Sequence, residues 1–361
     1  MNGNGRIARI AGPALALALA VGAAPVPAQA AATTTAGKAP AAKASAGTTW
    51  AQVMRRKLGL DIEATKLTTA LPAMRVAVTA RTSDVALAQR AELAAAAALA
   101  TATTTDQNAR TRLATAKTAA AAAKKAVTAA QKLRPRKPAR VTKAKKALAA
   151  AEAAVHTRAA AVKKSTAART AAAATHSATA RQVTAAVTAQ QAATAAVTKA
   201  ERRIASIPAL RTTFAQEATA LSGQVVTQSR ANFTVAQTTK VYGVTVNKVV
   251  AYPFQRMIDD AARAGIKISG GGFRTKEQQI ALRKSNSCPD VWTAPASSCR
   301  VPTAIPGRSL HEVGLAVDLT SGGKSINTRK SPAFKWLAAN AGRYGFVNLP
   351  SEPWHWSITG S

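Results

Sequence analysis

Two short motifs near the end of the sequence hold most of the residue types that could carry out chemistry. Residues 309–318 read SLHEVGLAVD, and residues 352–355 read EPWH. Together they supply two imidazoles, one carboxylate ligand and a second, spare carboxylate. A catalytic zinc site needs this set: three protein ligands, an open position and a base beside the metal. The predicted ligands of a single zinc ion are His311, Asp318 and His355.

The spacing of these residues suggests how they meet. A loop followed by a strand can bring His311 and Asp318 to one point, and Gly314 permits the turn between them. Side-chain alternation along the strand points Asp318 away from its core-facing neighbours. Glu352 lies three residues before His355, so it can serve as a general base and then donate a proton to a leaving amine.

Arg274 follows a run of three glycines, residues 270–272, and can place its guanidinium near a substrate carbonyl to stabilise an oxyanion. Taken singly, each of these residues has an ordinary structural explanation, such as a core histidine, a capping Asp or an ion-paired Arg. The combination favours a catalytic metal site. The only two histidines of residues 230–361 stand near an Asp and a Glu, in a region with just seven acidic residues.

The elements expected around the site form a small α+β domain with an antiparallel sheet over residues 232–361. β-branched and alternating patterns predict strands at 241–250, 266–268, 315–319 and 354–358. Helices are predicted at 253–264, at 276–284 with Thr275 as the N-cap, and at 334–344 before Gly345. Residues 285–308 are expected to form a long loop rich in Pro and Ser.

The composition excludes one well-packed globule of 361 residues, because alanine dominates and aromatic residues make up only 4%. Four of the five Trp residues lie after residue 230, so the globular core is expected there. Residues 230–361 carry 17 Lys/Arg and 7 Asp/Glu, which leaves +25 of the net charge of +35 in residues 1–229. A charge of this size predicts a polyanionic surrounding, such as nucleic acid, anionic lipid or an anionic cell-wall polymer.

The first thirty residues have the three parts of a secretory signal peptide. Arg6 and Arg9 precede a short apolar run at 14–24, and Ala28-Gln-Ala30 resembles a cleavage site. A membrane anchor is the alternative, but the run is shorter than the roughly 20 residues that span a bilayer. We therefore expect a secreted protein with no transmembrane segment after cleavage. In that compartment Cys288 and Cys299 are expected to form a disulfide.

The region before the α+β domain is expected to be a helical stalk. A disordered tether and a short helix are predicted for 31–82, an Ala-rich antiparallel coiled-coil hairpin for 83–207, and a connector for 208–231. Pro135 and Pro138 mark the turn of the hairpin. The seven-residue register of the second helix holds mostly Val and Leu, with Arg169, His176 and Gln190 as exceptions. In the first helix Glu92, Asp106 and Ala120 stand between the apolar positions. Partial disorder is the alternative for such a low-complexity segment.

The motifs of residues 232–361 resemble those of the zinc D-alanyl-D-alanine carboxypeptidases, the family of LAS-type metallopeptidases that includes VanY-like enzymes. The pattern S-x-H-x-x-G-x-A-x-D is matched at 309–318, E-x-W-H at 352–355, and S-G-x-R-S-x-x-x-Q loosely at 269–279. The resemblance implies zinc bound by His311, Asp318 and His355, with Glu352 as base and Arg274 as carbonyl polariser. It also implies that Ser309 and Gln279 contact the substrate, a peptide stem of peptidoglycan.

Three classes of function are therefore candidates for this sequence. The first is a secreted zinc peptidase acting on stem peptides, either as a D,D-carboxypeptidase or as an endopeptidase of the same fold. The second is a non-catalytic wall-binding coiled-coil protein, against which the presence of Glu352 speaks, since binding needs no base. The third is a nucleic-acid-binding protein, which the signal peptide and the lack of interleaved basic and aromatic residues oppose. We expect the first, with the basic N-terminal region attracted to anionic cell-wall polymers.

Overall fold

The computed structural model describes residues 45–135 and 137–361. The predicted signal peptide, residues 1–30, and the predicted tether up to residue 44 lie outside the described residues. The described part forms a two-helix hairpin followed by a small domain with short antiparallel strands, which confirms the α+β fold class with a long helical hairpin. None of the described helices contains a stretch apolar enough to cross a membrane.

The hairpin consists of helix α1, Ala46–Lys132, and helix α2, Pro138–Asn232. Two sequence-based predictions are wrong here: the short helix before residue 82 is the first part of α1, and the connector at 208–231 is the last part of α2. Pro208 lies inside α2 and removes one backbone hydrogen bond. Ile207 beside it is buried, and we attribute the continuity of the helix to this packing.

Glu92 and Asp106, two polar exceptions in the register of α1, pair with polar side chains of α2 across the hairpin. Asp106 is only 3% exposed and accepts hydrogen bonds from Ser165 Oγ at 2.8 Å and Thr166 Oγ1 at 2.7 Å. Glu92 Oε1 lies 3.4 Å from Nε2 of His176. Asp106 follows Glu92 in α1, whereas its partners Ser165 and Thr166 precede His176 in α2, so the helices run antiparallel. Because a buried polar group needs its own partner, such pairs favour one register of an otherwise uniform Ala-rich seam.

Asp106 also receives a hydrogen bond from Arg110 Nε at 2.9 Å. This bond, with those from Thr166 and Ser165, lowers the pKa of Asp106 from its ordinary value of 3.8 to about 2. A carboxyl whose folded pKa is depressed stabilises the fold above its unfolded pKa and loses that contribution as pH falls toward the folded pKa.

We therefore expect Asp106→Asn to lower the thermal midpoint of the hairpin at neutral pH. The difference from the parent protein should shrink between pH 3.8 and about 2, and circular dichroism melts at several pH values measure it. Glu152→Gln, an exposed carboxyl of α2, is the matched control and should change little. An Asp106→Asn effect that stays constant down to pH 2 would contradict this role.

The C-terminal domain contains a two-stranded hairpin, a five-stranded antiparallel sheet and three short helices. Strands β1, Thr238–Val241, and β2, Val244–Asn247, pair with each other. The main sheet has the order β3-β4-β7-β6, and β5 pairs with β4. Its strands are β3 Ile268–Gly271, β4 Ala316–Ser321, β5 Lys324–Ser325, β6 Val347–Asn348 and β7 His355–Ser357. The helices are α3 Lys248–Arg263, α4 Lys276–Ser285 and α5 Pro332–Asn340.

The single strand predicted at 241–250 is wrong, because this segment holds a tight turn and the start of a helix. Tyr242 and Gly243 have positive φ angles of 47° and 86°, which reverse the chain after β1. Asn247 then caps α3 by accepting a hydrogen bond from Val249 N at 3.1 Å. The helix thus begins at Lys248 instead of Pro253.

The base of the hairpin belongs to the core of the domain. Trp50 and Met54 are fully buried, and they join one apolar cluster with Phe254 and Phe346. Lys57 Nζ reaches across the boundary and donates to the carbonyl oxygens of residues 342 and 343, at 3.2 and 2.8 Å. The hydrophobic core therefore crosses the domain boundary that the sequence places at residue 232.

Candidate metal centre and its cleft

The structure brings the three predicted ligands together. Oδ1 of Asp318 lies 3.1 Å from Nε2 of His311 and 3.0 Å from Nδ1 of His355, and the two nitrogens are 3.2 Å apart. In a tetrahedral zinc site with bonds of about 2.0–2.1 Å, ligand atoms stand about 3.3 Å from each other. Two imidazole nitrogens and one carboxylate oxygen at this spacing fit a divalent metal ion, and the group is a candidate metal site.

The second ring nitrogen of each histidine has a partner of its own. His311 Nδ1 lies 2.7 Å from the carbonyl oxygen of Gly272, and His355 Nε2 lies 3.3 Å from that of Ser361. A carbonyl oxygen only accepts, so each of these nitrogens carries the proton. The opposite nitrogen of each ring faces Asp318: in the protonated form it can donate to that carboxylate, and in the deprotonated form it offers the lone pair that metal binding requires.

Local sequence explains how these side chains are aimed. Ser309 caps a short 3₁₀ helix, Leu310–Val313, by accepting a hydrogen bond from the backbone N of His311. Gly314 then reverses the chain with a φ of 67°, and a Cβ there would meet the backbone N of Asn247 at 2.7 Å. The predicted role of Gly314 is therefore confirmed. Asp318 is paired directly with His355 in the β4–β7 register, which places the two side chains next to each other.

Electrostatics at the site follows from this clustering. Burial by itself would raise the pKa of Asp318, but hydrogen bonds from His311 and His355, together with their charges, hold it well below the usual range. Burial would lower the pKa of His355, but the bond to Asp318 outweighs it and the pKa is raised. Asp318 is therefore an ionised carboxylate at neutral pH, which is the form that binds metals.

Glu352 stands at the edge of the same cleft without joining the ligand cluster. Its backbone oxygen accepts hydrogen bonds from His355 N at 3.1 Å and from Asn348 Nδ2 at 2.9 Å, so its turn is tied to β7. Burial raises the pKa of the Glu352 carboxyl above its ordinary value. A half-buried carboxyl with a raised pKa beside a candidate metal site is the arrangement expected for a general base.

Arg274 reaches the site from the end of β3. Its Nη2 donates to Oδ2 of Asp318 at 3.2 Å, and its Nη1 donates to Oε1 of Gln279 at 2.8 Å. Gln279 is 1% exposed, and its Nε2 donates to the carbonyl oxygen of Ala304 at 2.7 Å. Both ends of the Gln279 amide are therefore bonded within the protein, and this residue orients Arg274.

A disulfide-bonded loop forms one wall of the cleft. Cys288 and Cys299 are joined, with their Cα atoms 4.1 Å apart, as predicted. Behind the loop Arg283 is fully buried and donates to the carbonyl oxygens of Thr303, Asp290 and Ala294. Sequence reasoning missed this role of Arg283, because nothing in the spacing of the sequence indicates which backbone carbonyls a lone arginine will meet.

All seven residues proposed from sequence for the metal and the substrate line a single cleft of about 480 Å³. They are Arg274, Gln279, Ser309, His311, Asp318, Glu352 and His355. The cleft also contains residues that sequence reasoning did not single out, among them Arg308 and Ser351. The carbonyl of Gly272, which orients His311, was missed as well, because a backbone acceptor leaves no signal in residue type.

Comparison with known proteins finds a family match in the region of the chain that contains this cleft. Residues 243–361 match the family model for VanY: D-alanyl-D-alanine carboxypeptidase. A D-alanyl-D-alanine carboxypeptidase of Enterococcus faecalis is 31% identical over 130 residues, which are 30% of this chain and 46% of the relative. One from Enterococcus faecium is 26% identical over 125 residues, which are 31% of this chain and 37% of the relative.

The chain thus spans less than half the length of either relative. The matched segment contains both histidines of the cluster, together with Asp318, Glu352 and Arg274. Residues 243–361 are therefore similar to the VanY D-alanyl-D-alanine carboxypeptidase family, and this similarity includes every residue of the candidate metal centre.

Proposed function

We propose that this chain is an exported, zinc-dependent D-alanyl-D-alanine carboxypeptidase that trims the stem peptides of peptidoglycan. The observation that carries the proposal is the convergence of His311, Asp318 and His355, within 3.0–3.2 Å of one another, with Glu352 and Arg274 in the same cleft. The match of residues 243–361 to the VanY family supports the reaction class.

His311, Asp318 and His355 would hold a zinc ion, since one carboxylate and two imidazoles are ligands that zinc prefers. When bound, zinc supplies Lewis-acid activation of water and of the scissile carbonyl. The hydrogen bonds from His311 to Gly272 and from His355 to Ser361 keep both rings in the metal-binding tautomer.

Glu352 would take a proton from the attacking water as the oxygen bonds to the carbonyl carbon. It would return that proton to the amine nitrogen as the carbon–nitrogen bond breaks, so that a carboxylic acid and free alanine result. Arg274 would stabilise the negative charge that develops on the carbonyl oxygen. Its second bond, to Gln279 Oε1 at 2.8 Å, holds the guanidinium in place before substrate arrives.

The resemblance implies that both Gln279 and Ser309 contact the substrate, but the two side chains have different surroundings. Gln279 is buried and bonded at both ends, so we assign it to holding Arg274. Ser309 lines the cleft, and its hydroxyl oxygen accepts from His311 N at 3.3 Å. Its hydroxyl proton is free to donate to a substrate oxygen, which keeps substrate contact as the proposal for Ser309.

Export and the cell-wall partner are part of the same proposal. Peptidoglycan lies outside the cytoplasmic membrane, and residues 1–30 have the three parts of a signal peptide. Residues 1–229 carry +25 of the net charge, which suits an envelope rich in anionic polymer.

The direct test is incubation of the purified full chain with defined muropeptides, followed by mass spectrometry. We expect a pentapeptide stem to lose one alanine. A chelator should abolish this activity and added Zn²⁺ should restore it, because the residues of the cluster provide no Lewis acid themselves. Cleavage within a cross-link, with no loss of terminal alanine, would point to an endopeptidase of the same fold. No cleavage of any muropeptide by the zinc-loaded protein would overturn the proposal.

A further inference from the structure

The positive charge of the hairpin is concentrated at the end far from the cleft. Residues 107–151, which we call the basic tip, contain 13 Lys/Arg and no Asp/Glu. The rest of the hairpin, residues 46–106 and 152–232, contains 17 Lys/Arg and 8 Asp/Glu. The net charge is thus +13 over 45 residues at the tip and +9 over 142 residues elsewhere.

Ion pairing increases the difference in uncompensated charge between the tip and the rest of the hairpin. Between the tip and the domain, acidic residues pair with arginines in Arg75–Glu201, Arg203–Glu63 and Arg211–Asp61. Among the described residues of the tip, Arg110 alone forms an ion pair, with Asp106 at the boundary. Every described Lys and Arg of the tip is exposed. Neighbouring like charges repel one another, and this repulsion is a cost that the hairpin carries without internal compensation.

The arrangement of the cations at the tip indicates which shape of anionic partner would fit them. They are spread over both helices, along about 30 Å between Arg112 and Lys132 at 1.5 Å per residue, and do not converge on one pocket. Spaced, exposed point charges suit a long chain of repeating anions better than a single small anion. Eight of the thirteen are lysines, which act as mobile point charges toward phosphate.

The chemistry of the tip argues against two other polyanionic partners. The sequence between Trp50 and Phe214 contains no Phe, Trp or Tyr, so bases of a nucleic acid would find no stacking platform. Among the described residues of the tip, Leu133 is the only large apolar side chain that is exposed, so the tip does not present the apolar face with which an interfacial helix enters a lipid surface.

We propose that the basic tip binds a linear phosphodiester polymer of the cell envelope and anchors the chain there. Helix α1 has 87 residues and spans about 130 Å, so the anchor lies far from the cleft, which remains free for peptide substrate. The proposed function already includes an anionic polymer as a partner, and this inference assigns the binding of that polymer to the basic tip. It is independent of hydrolysis, so the two can fail separately.

The test compares two fourfold variants of the full chain. The tip variant is Lys117→Gln, Lys124→Gln, Lys125→Gln and Lys132→Gln. The matched control is Lys66→Gln, Lys163→Gln, Lys164→Gln and Lys199→Gln, which removes the same charge from exposed, unpaired lysines outside the tip. Binding of each protein to long-chain inorganic polyphosphate is measured over a range of salt concentrations.

We expect the tip variant to lose at least tenfold in affinity and the control to stay within about threefold. The slope of log affinity against log salt should flatten by up to about 3 in the tip variant, at roughly 0.7 per lost contact. Polyphosphate should also raise the melting midpoint of the parent hairpin, because it relieves the repulsion at the tip. Circular dichroism of both variants checks that they remain helical.

Three results would overturn the proposal: equal losses in the two variants, tighter binding to anionic vesicles than to polyphosphate, or tighter binding to duplex DNA at equal phosphate. Hydrolysis of a free muropeptide should be unchanged in the tip variant. Failure of hydrolysis in all the proteins would count against the proposed enzyme and leave the tip result standing.

Discussion

Replacing Glu352 with Gln is expected to slow hydrolysis of a pentapeptide stem by about 10²- to 10⁴-fold, which is the usual contribution of a general base. The change removes the proton acceptor but keeps the size and shape of the side chain. It should leave the zinc content at one per chain, because Glu352 is not among the three clustered ligands. Steady-state kinetics and elemental analysis of the same preparation measure the two quantities.

Two companion variants make the result specific. His311→Ala should lose zinc along with activity, since it deletes one of the three ligands that lie within 3.0–3.2 Å of each other. Glu277→Gln changes an exposed carboxyl of α4 outside the cleft and should keep both activity and zinc. Full activity in Glu352→Gln would remove the base from the proposed mechanism. Loss of zinc in Glu352→Gln would instead make Glu352 a ligand.

The site was largely predictable because its residues lie in two short motifs. In residues 309–318 a capping Ser, a Gly in the left-handed region and an alternating strand together determine where His311 and Asp318 point. These are local rules, so they can be read from neighbouring residues. This segment meets His355 through the pairing of β4 with β7. No local rule predicts that pairing, so the prediction that His355 joins the site depended on residue types alone.

The parts that sequence reasoning missed depend on contacts between distant segments. Trp50, Met54 and Leu58 follow a helical spacing that predicts an apolar face, but nothing local says that this face packs on the C-terminal domain. The prediction that α2 ends before Pro208 failed for a similar reason. A proline costs about 3 kcal/mol in a helix, and packing on either side can outweigh that cost.

The polar exceptions in the registers of the hairpin could be seen in the sequence, but their pairing was not predicted. Asp106 and Glu92 in α1, and Arg169 and His176 in α2, interrupt the apolar registers at fixed intervals. Each looks like a defect in its own helix. Read together they are complementary, since Arg169 Nε lies 3.4 Å from Asp106 and His176 Nε2 lies 3.4 Å from Glu92. Matching the exceptions of one helix against those of the other would have predicted the register.

Replacing Trp50 with Ala is expected to destabilise the C-terminal domain by about 3–5 kcal/mol, the usual cost of deleting a buried aromatic side chain. Trp50 is fully buried, and its Nε1 donates to Ser222 Oγ at 3.2 Å. A Cβ on Gly345 would lie only 2.7 Å from the Trp50 ring, so the helix and the domain are in tight contact there. Chemical denaturation, followed by tryptophan fluorescence of the remaining Trp residues in the domain, measures the change.

Leu93→Ala is the matched control, because it shortens an apolar side chain of the same helix that is 67% exposed. It should leave the domain's unfolding transition within about 0.5 kcal/mol of the parent value. Since Trp50 does not line the cleft, the Trp50→Ala protein should retain the parent zinc content when folded at low temperature. An unchanged domain transition in Trp50→Ala would mean that the C-terminal domain is stable without the hairpin base. In that case the domain boundary does lie near residue 232, and the shared apolar cluster contributes little to stability.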